Sequence, residues 1–417
     1  MHPPFSWTSE LEDFARATAL AAGFHLASVA DVEFVPGGAA SLDGERFAAW
    51  VEAGRAGEME YLKRRDASGA LLRTDLRVAM PWARSVILCA LNYNSGGPGS
   101  LDPASPTSGW IGRYAWSGRS ASPNSPTSAE IDNQLSVPAA SPELLPSDYH
   151  DELLTRLRLV EARLQEKVSC ETRCYVDTGP LVERAFAARA GIGWIGKNTC
   201  VINQRLGSWL LLGAIVTSLP ISEAEAAGGG LVLAPDRCGS CTRCIDACPT
   251  DALVAPREMD ASRCIAYLTI EKKGSIAEEL RAGMGRQVFG CDICQDVCPW
   301  NRRSPLAVTV GMLPRLELAN PSLASLAELD NAAFKRLFKG SPLERTGRKR
   351  LQRNVAIAMG NSGETEFLPR LEAWSAGDDP VLAEAARWAI ERLRAATVPV
   401  AIAAPGCEPA EGVVDPC

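Results

Sequence analysis

Cysteine is the residue type with the greatest chemical potential in this chain. Its 417 residues include 14 cysteines but only three histidines, and eight of the cysteines lie between positions 238 and 298. Disulfide bonds rarely persist in the cytosol, where we expect this chain to act, so metal ligation is the better interpretation. The scarcity of histidine argues against a mononuclear zinc or non-haem iron site, because such sites commonly use imidazole ligands.

The cysteines form two runs that each end in a Cys-Pro pair. The first run, from Cys238 to Pro249, has the spacing CxxCxxCxxxCP, in which three thiolates hold one 4Fe–4S cluster and the fourth ligates its neighbour. The second, from Cys291 to Pro299, lacks one ligand, which we expect Cys264 to supply. Zinc ribbons need no Cys-Pro ending, so zinc is the disfavoured alternative. The predicted sets are Cys238, Cys241, Cys244 and Cys298 for one cluster, and Cys248, Cys264, Cys291 and Cys294 for the other.

Two further motifs could contribute chemistry outside the cysteine runs. Asp177 lies at a Thr-Gly-Pro turn, where its carboxylate could act as a general acid if burial raised its pKa. On the local pattern alone, capping of the next helix is the favoured alternative. The segment 191–196 has the spacing GxGxxG but follows a helix, so a Rossmann site is disfavoured. We expect these glycines to allow close approach to a flat cofactor or the substrate, with a plain turn as the alternative.

A basic cluster, Arg345-Thr-Gly-Arg-Lys-Arg350, reverses the sign of an otherwise acidic chain of net charge −7. It could meet the phosphates of a nucleic acid, or it could be a solvated helix start, and charge alone leaves both open. Neither a CxxCH haem motif nor the Asp-x-His-x-x-Gly motif of histidine-ligated cobalamin is present. The sequence therefore excludes those two modes of cofactor attachment.

Helices and strands must alternate to position these residues in the first half of the chain. We expect helices at 11–22, 148–165 and 181–190, and strands at 85–91, from 174, and at 208–219. This order predicts an α/β or α+β domain. The Ser- and Pro-rich stretch at about 117–147 predicts a mobile insertion.

The predicted layout is an α+β fold with three domains and a tail. We expect a substrate domain at 1–230, a ferredoxin-like two-cluster domain at 231–305, a helical domain at 306–396 and a disordered tail at 397–417. Segments 353–360 and 386–393 are alike, which suggests a pair of HEAT-like repeats, with a plain helical bundle as the alternative. The longest apolar stretch, 209–216, is too short to cross a bilayer, so we expect a cytoplasmic protein without membrane contact.

Four long strings together resemble the epoxyqueuosine reductase family. They are Val-Asp-Thr-Gly-Pro-Leu-Val-Glu-Arg at 176–184, the glycine-rich segment 190–199 and the two cysteine runs at 238–250 and 290–299, with further likeness at 148–150 and 351–354. The resemblance implies reduction of the epoxide of epoxyqueuosine, at the wobble position of tRNA, to the alkene of queuosine. It also implies a cobalamin in an N-terminal α/β domain, a HEAT-like domain that binds tRNA, and an external donor of the flavodoxin or ferredoxin type serving a monomer.

The resemblance also assigns roles to individual positions. Asp177 matches the family's proton donor, which reverses the preference for a capping role. The implied cobalamin contacts are Arg73, Asp177, Val201, Asn203, Leu212 and Ala266. Arg184 matches a tRNA contact, and the basic cluster adds Arg348, Lys349, Arg350 and Arg353. The Ser- and Pro-rich stretch leaves the alignment of Gly112 and Arg113 open.

Two other classes of function compete with this interpretation. A cobalamin-dependent enzyme similar to the reductive dehalogenases would act on a small molecule, but such enzymes usually carry a twin-arginine export signal, which residues 1–7 lack. A non-enzymatic electron carrier would not need the long segment that precedes the clusters. Both alternatives are therefore less favoured than a reductase acting on tRNA.

Overall fold

The computed structural model describes residues 5–32, 38–120, 144–221, 234–307 and 309–397. Within these ranges, no helix is long and apolar enough to cross a membrane. The predicted insertion is described only at its two ends, and these form paired strands rather than loop. The rest of the insertion and residues 398–417 of the predicted tail lie outside the described residues.

The N-terminal region is built around one four-stranded sheet. Its elements are α1 (Ser9–Ala21), β1 (Leu26–Asp31), α2 (Ala39–Glu52), α3 (Leu76–Ala79), β2 (Ser85–Asn92), β3 (Trp110–Ile111), β4 (Ser117–Ser120), β5 (Leu144–Pro146), α4 (Tyr149–Lys167), β6 (Thr172–Tyr175), α5 (Glu183–Arg189), β7 (Trp194–Ile195), β8 (Val201–Ile202) and β9 (Leu210–Thr217). The sheet has the order β1-β2-β9-β6, and every neighbouring pair is antiparallel. This pairing selects α+β and corrects the expectation of an α/β domain, whose sheet would be mainly parallel.

Both faces of this sheet are covered, which the apolar run at 85–91 predicted. Alternate residues of β2 enter two different cores: Ile87 packs with α1 and α4, whereas Val86 and Leu88 pack with α3 and α5. All eight residues of β2 are buried. A strand with two apolar faces needs a layer on each side, and the helices supply both layers.

The cluster module contains short elements between its cysteines. These are α6 (Arg243–Asp246), β10 (Leu253–Ala255), β11 (Glu258–Met259), α7 (Ile265–Ile270), α8 (Glu278–Arg281), β12 (Gln287–Phe289) and α9 (Ile293–Asp296). The one-turn helices α6 and α9 contain Cys244 and Cys294, so the two CxxC segments have the same local fold. This internal likeness is the structural counterpart of the two runs in the sequence.

The C-terminal region is helical and shares its core with the cluster module. Its elements are β13 (Leu313–Pro314), α10 (Leu323–Ala327), α11 (Asn331–Phe338), α12 (Gly347–Ser362), α13 (Leu368–Ser375) and α14 (Pro380–Thr397). Helices α12 and α14 pack closely, and a Cβ added at Gly360 would lie 2.7 Å from the Cα of Ala389. One hydrophobic core joins Val355 of α12 to Leu268 of α7 and Val288 of β12. The HEAT-like character of these helices stays a prediction.

Candidate redox and acid site

The Cys298 thiol lies beside thiols of the first run, 50 positions or more away along the chain. Burial, and to a smaller extent the neighbouring thiols of Cys238 and Cys244, raises the pKa of Cys298 to about 11. Trp194 and Ile202 of the β7–β8 hairpin pack with Cys298 in a small apolar cluster. This neighbourhood is the one that the crossed ligand pattern requires for the first cluster.

The second predicted set gathers in the same way at the other end of the module. Burial raises the pKa of Cys264, and the Cys248 thiol adds to the shift. Burial also raises the pKa of Cys291 well above its usual value, followed by the effects of Cys264 and Cys248. Cys264 therefore lies where the incomplete second run needs a fourth ligand.

The eight thiols do not form a site for a single ion. Within the part of the chain that the structure describes, no three His, Cys, Asp or Glu side chains converge to hold one metal ion. A zinc site needs four ligands about 2 Å from one centre, whereas the thiolates of a cubane bind four separate irons and stand farther apart.

Asp177 lies on a loop two residues after β6, with its backbone in the left-handed region at φ 56°. Aspartate tolerates this region better than most residues, and unusual backbone angles cluster at functional sites. The side chain does not cap the next helix, because α5 has Val182 at its N-cap and no side-chain cap. The capping alternative is therefore wrong. The side chain is also 52% exposed, so this chain alone does not supply the burial that we expected there.

Two residues at the start of α4 face the Asp177 carboxylate. The Tyr149 hydroxyl donates a hydrogen bond to Asp177 Oδ2, and His150 Nε2 lies 3.7 Å from the same oxygen. The N-cap residue Asp148 holds the ring of His150 through a 2.7 Å contact at Nδ1. Burial raises the pKa of Tyr149 well above its ordinary value, so its phenol stays protonated and acts as a donor.

A second carboxyl group, that of Glu183, lies on the other side of Asp177. The backbone N–H of Asp177 donates to Glu183 Oε1 at 2.9 Å. Burial and the neighbouring charge of Asp177 raise the pKa of Glu183 well above its ordinary value. The acid loop therefore contains two adjacent carboxyl groups, and burial favours the protonated form of Glu183.

Arg73 and Tyr61 complete the surroundings of this pair. Arg73 Nη1 donates to the carbonyl of Leu181 at 3.0 Å, and Glu183, Tyr61 and Asp177 are the acidic groups that face the guanidinium. Burial raises the pKa of Tyr61 to about 12. The predicted contact residue Arg73 is thus brought next to the predicted acid.

Packed aromatic rings connect the acid loop to the second cluster set. Tyr114 packs edge-on against Tyr149, with ring centroids 5.8 Å apart, and lies 5.9 Å from Phe289. Phe289 is followed by Gly290 and the ligand Cys291. A Cβ at Gly290 would lie 3.3 Å from Gly112 Cα, so only glycine allows this approach of the two chain segments.

The same contact locates Arg113, whose alignment the sequence left open. Its backbone N–H donates to Asp292 Oδ2 at 2.6 Å, and its guanidinium lies 4.6 Å from the Trp209 ring centroid. The segment after β3 therefore packs on the second cysteine run and is part of the connection between the acid loop and that run.

Comparison with known protein families matches both the cysteine module and part of the N-terminal region. Residues 237–301 match the family described as 4Fe–4S double cluster binding domain, and residues 73–119 match the family described as epoxyqueuosine reductase QueG, DUF1730. An epoxyqueuosine reductase from Pseudomonas aeruginosa is 35% identical over 378 residues, which are 89% of this chain and 91% of that protein.

The chain belongs to the epoxyqueuosine reductase family.

Two solved structures of the family have the same fold. One is an epoxyqueuosine reductase with a tRNA-Tyr stem loop modified with epoxyqueuosine, at 30% identity and a TM-score of 0.74, covering 92% of this chain and 90% of that one. The other, from Bacillus subtilis, has its catalytic aspartate loop swung out of the active site, at 29% identity, a TM-score of 0.74 and the same coverage. The mixed helix and sheet architecture predicted from the sequence is therefore confirmed.

The other predicted cobalamin contacts lie in different environments. Leu212 lies on β9 beyond the last β6–β9 pair, Tyr175 with Ala214, and is partly exposed. Val201 is buried, and the Asn203 side chain donates to the Ile192 carbonyl at 2.6 Å and caps its own turn. Ala266 follows Cys264 on α7 and is partly exposed.

The glycine-rich segment serves packing inside the protein. A Cβ at Gly193 would lie 2.3 Å from the carbonyl oxygen of Ile202, so this glycine allows β7 to approach β8. The expectation of close approach to a cofactor is therefore corrected at Gly193, where the close neighbour is backbone of the same hairpin.

Two of the predicted tRNA contacts hold the protein together instead. Arg353 is 1% exposed, and its guanidinium donates to the carbonyls of Leu268, Lys272 and Gly274. A buried side chain cannot reach tRNA, so the prediction for Arg353 is wrong in this structure. Arg350 donates to carbonyls of Ile270, Arg345 and Thr346, which fixes the segment before α12.

The remaining predicted tRNA contacts are accessible. Arg184 is exposed and donates to the carbonyl oxygen of Thr199 at 2.8 Å. The Lys349 side chain is 78% exposed and forms an ion pair with Asp379 at 3.2 Å. Arg348 is partly exposed and binds Gln352 one turn along α12. These three residues keep their place as predicted contacts.

Sequence reasoning missed three residues of the acid site. They are Tyr149, Glu183 and Arg345, whose guanidinium lies 3.3 Å from the ring of His150. All three occur in strings that had been singled out, so the signal was present. What the sequence lacked was the contact between these strings, which come from α4, α5 and the segment before α12.

Proposed function

We propose that this protein reduces the epoxide of epoxyqueuosine in tRNA to the alkene of queuosine, in the cytoplasm. The observation that carries the proposal is the Asp177 loop, with its proton-holding partners, joined through packed rings to a double-cluster module in a chain of this family. A reduction of this kind needs two electrons, which clusters deliver one at a time, and protons for the departing oxygen, and these two parts supply both.

Asp177 is the proposed proton donor to the epoxide oxygen. Its exposed side chain can reach a substrate, and Tyr149 and the ring of His150 fix the direction of the carboxyl group. Asp148 in turn orients His150. Because the left-handed backbone at Asp177 turns the loop sharply after β6, the carboxyl group projects from the end of the sheet.

Electrons enter at the end of the module that is nearest to solvent. Gly239, Thr242 and Arg243, beside ligands of the first set, are exposed, whereas Cys264 and Cys291 pack on the core shared with the C-terminal helices. An external one-electron donor of the flavodoxin or ferredoxin type would dock at the exposed end. The second cluster then lies on the side of the acid loop.

The residues around Asp177 would hold the cobalamin. Leu212 would offer partly exposed apolar surface on β9, and Arg73 and Tyr61 would offer polar groups. The ring of His150 contacts Asp148 through Nδ1 and faces Asp177 through Nε2, so it would serve the acid. When bound, cobalamin would supply the strongly reducing centre that delivers electrons to the substrate.

The exposed basic residues Arg184, Lys349 and Arg348 are the proposed tRNA contacts. Arg345, which reaches His150, belongs to the same basic cluster and places positive charge at the edge of the acid site. An anticodon stem loop held there would bring its wobble base toward Asp177, since phosphate contacts position a nucleic acid. The HEAT-like C-terminal helices would form the outer part of this surface.

The test is conversion of epoxyqueuosine-containing tRNA by anaerobically prepared protein with a chemical reductant. The expected result is queuosine in the digested tRNA, together with roughly eight irons per chain, as two cubanes require. A halogenated phenol offered in parallel tests the small-molecule alternative. Dehalogenation without formation of queuosine would contradict the proposal.

A further inference from the structure

Glu183 is a carboxyl group that touches the acid but has no part in the mechanism so far. Its Oε1 accepts the Asp177 N–H at 2.9 Å, which places its carboxyl group beside Asp177. Two neighbouring carboxyl groups repel each other when both are ionised, so such a pair favours the state in which one of them carries a proton. The pair is therefore built to share a proton.

The proposed reduction needs more protons than Asp177 can hold. Conversion of an epoxide to an alkene breaks two carbon–oxygen bonds, forms the carbon–carbon double bond and releases the oxygen as water. The balance is two electrons, which the external one-electron donor supplies through the clusters, and two protons. Asp177 can deliver only one proton at a time, so it must be loaded twice in each turnover.

We propose that Glu183 is the proton reservoir of the site, which loads Asp177 before each of the two proton transfers. The O–H bond of Glu183 breaks as an O–H bond forms on the Asp177 carboxylate, and Glu183 regains its proton from solvent after each transfer. This inference rests on the proposed epoxide reduction. Glu183 does not touch the substrate and acts only through Asp177.

The other groups near Asp177 are less suited to this task. Burial raises the pKa of Tyr149, so the loss of its proton would be costly. His150 Nε2 lies 3.7 Å from Asp177 Oδ2, beyond hydrogen-bond distance. The charged or titratable groups that face the carboxyl pair are Arg73 from the segment before α3, Tyr61, Tyr149 and His150 of α4, and Arg345.

The test uses E183Q, which keeps an oxygen to accept the Asp177 N–H but has no proton to give. We expect kcat to fall by about 10- to 100-fold, toward the lower end of what loss of acid–base catalysis costs, with an unchanged KM for tRNA. Proton uptake then comes from solvent, so the rate of E183Q should rise with the concentration of a small buffer acid and fall as pH rises. Wild-type turnover should not depend on buffer concentration, and E183D should recover much of the activity.

A surface variant, Glu166→Gln, is the control, since Glu166 lies at the exposed end of α4 in an ion pair with Arg163. A loss of activity in E183Q that is the same at every pH and buffer concentration would overturn the reservoir role. A kcat of E183Q equal to that of the wild type would overturn it as well.

An infrared measurement keeps the inference separable from the proposed function. The carbonyl stretch of a protonated carboxyl group should be stronger in the resting wild-type protein at neutral pH than in E183Q, so a difference spectrum isolates the band of Glu183. Absence of that difference band overturns the reservoir, whatever the substrate. Failure of wild-type protein to form queuosine, with the band present, overturns the proposed function instead.

Discussion

The two ends of the cluster module differ in surroundings although their local folds are alike. The first run leads through α6 along an exposed edge, where Thr242 and Arg243 face solvent. The second run leads through α9, where Ile293 and Gln295 are buried and Cys291 packs on the core of the C-terminal helices. The same ligand spacing thus produces one end that a partner can reach and one end that faces the acid loop.

The largest expected effect comes from removing one ligand at each end. Cys291→Ser should reduce iron to roughly four atoms per chain, the content of one cubane, and abolish turnover with any donor. Cys241→Ser should lower iron equally but retain some turnover with a small chemical reductant that reaches the inner cluster directly. Iron analysis and turnover with two donors measure this. Cys170→Ser, outside both ligand sets, is the control, and equal responses of the two ligand variants would refute a directional module.

The next largest effect is expected at Asp177, which lies on the side of the second cysteine run. Asp177→Asn should lower kcat by about 100- to 10,000-fold, because it removes the proposed proton donor. Iron content and cluster absorbance should stay unchanged, because Asp177 does not pack on the thiols. The exposed Asp378→Asn provides a control for the change in charge. Full activity of Asp177→Asn would remove this residue from the mechanism.

A smaller effect is expected from loosening the inner end of the module. Arg353→Met removes the donors to three carbonyls of the segment after α7, which lowers the free energy of unfolding by about 2–4 kcal/mol. Chemical denaturation should show this loss. Arg336→Met, on an exposed position of α11, should change stability by no more than about 0.5 kcal/mol. Equal stability of the two variants would show that Arg353 does not secure α12 to the module.

The smallest effect is expected at a residue remote from both ends. Lys349→Ala should weaken tRNA binding modestly and lower the slope of log affinity against log salt by about 1, because one phosphate contact is lost. Binding titrations at several salt concentrations measure this, and thermal stability should not change. An unaltered salt slope would exclude Lys349 from the tRNA surface.

The double-cluster module was recognisable in the sequence because its pattern depends on spacing along the chain. The two runs contain seven of the eight predicted ligands, and only Cys264 had to be inferred from an incomplete set. The acid site was predictable only in part, because Tyr149, Glu183 and Arg345 meet Asp177 from three separate elements. No periodicity in the sequence predicts a contact between residues of separate elements.

The basic cluster shows that the sequence also does not reveal which charged residues are buried. Lys349 and Arg353 are one helical turn apart on α12, yet one is exposed and the other is buried. Residues 351–360 of α12 are all buried, so this part of the helix is enclosed on every side and has no exposed polar face. The predicted tRNA contact Arg353 therefore lies in the interior.

The most direct test of the coupling between the clusters and the acid is a single turnover of fully reduced protein mixed with epoxyqueuosine-containing tRNA. Cluster absorbance and queuosine formation are followed together. Wild-type protein should reoxidise its clusters by two electrons for each queuosine formed, whereas Asp177→Asn should keep its clusters reduced. Cluster reoxidation in the wild type without queuosine, or at the same rate in Asp177→Asn, would contradict the coupling.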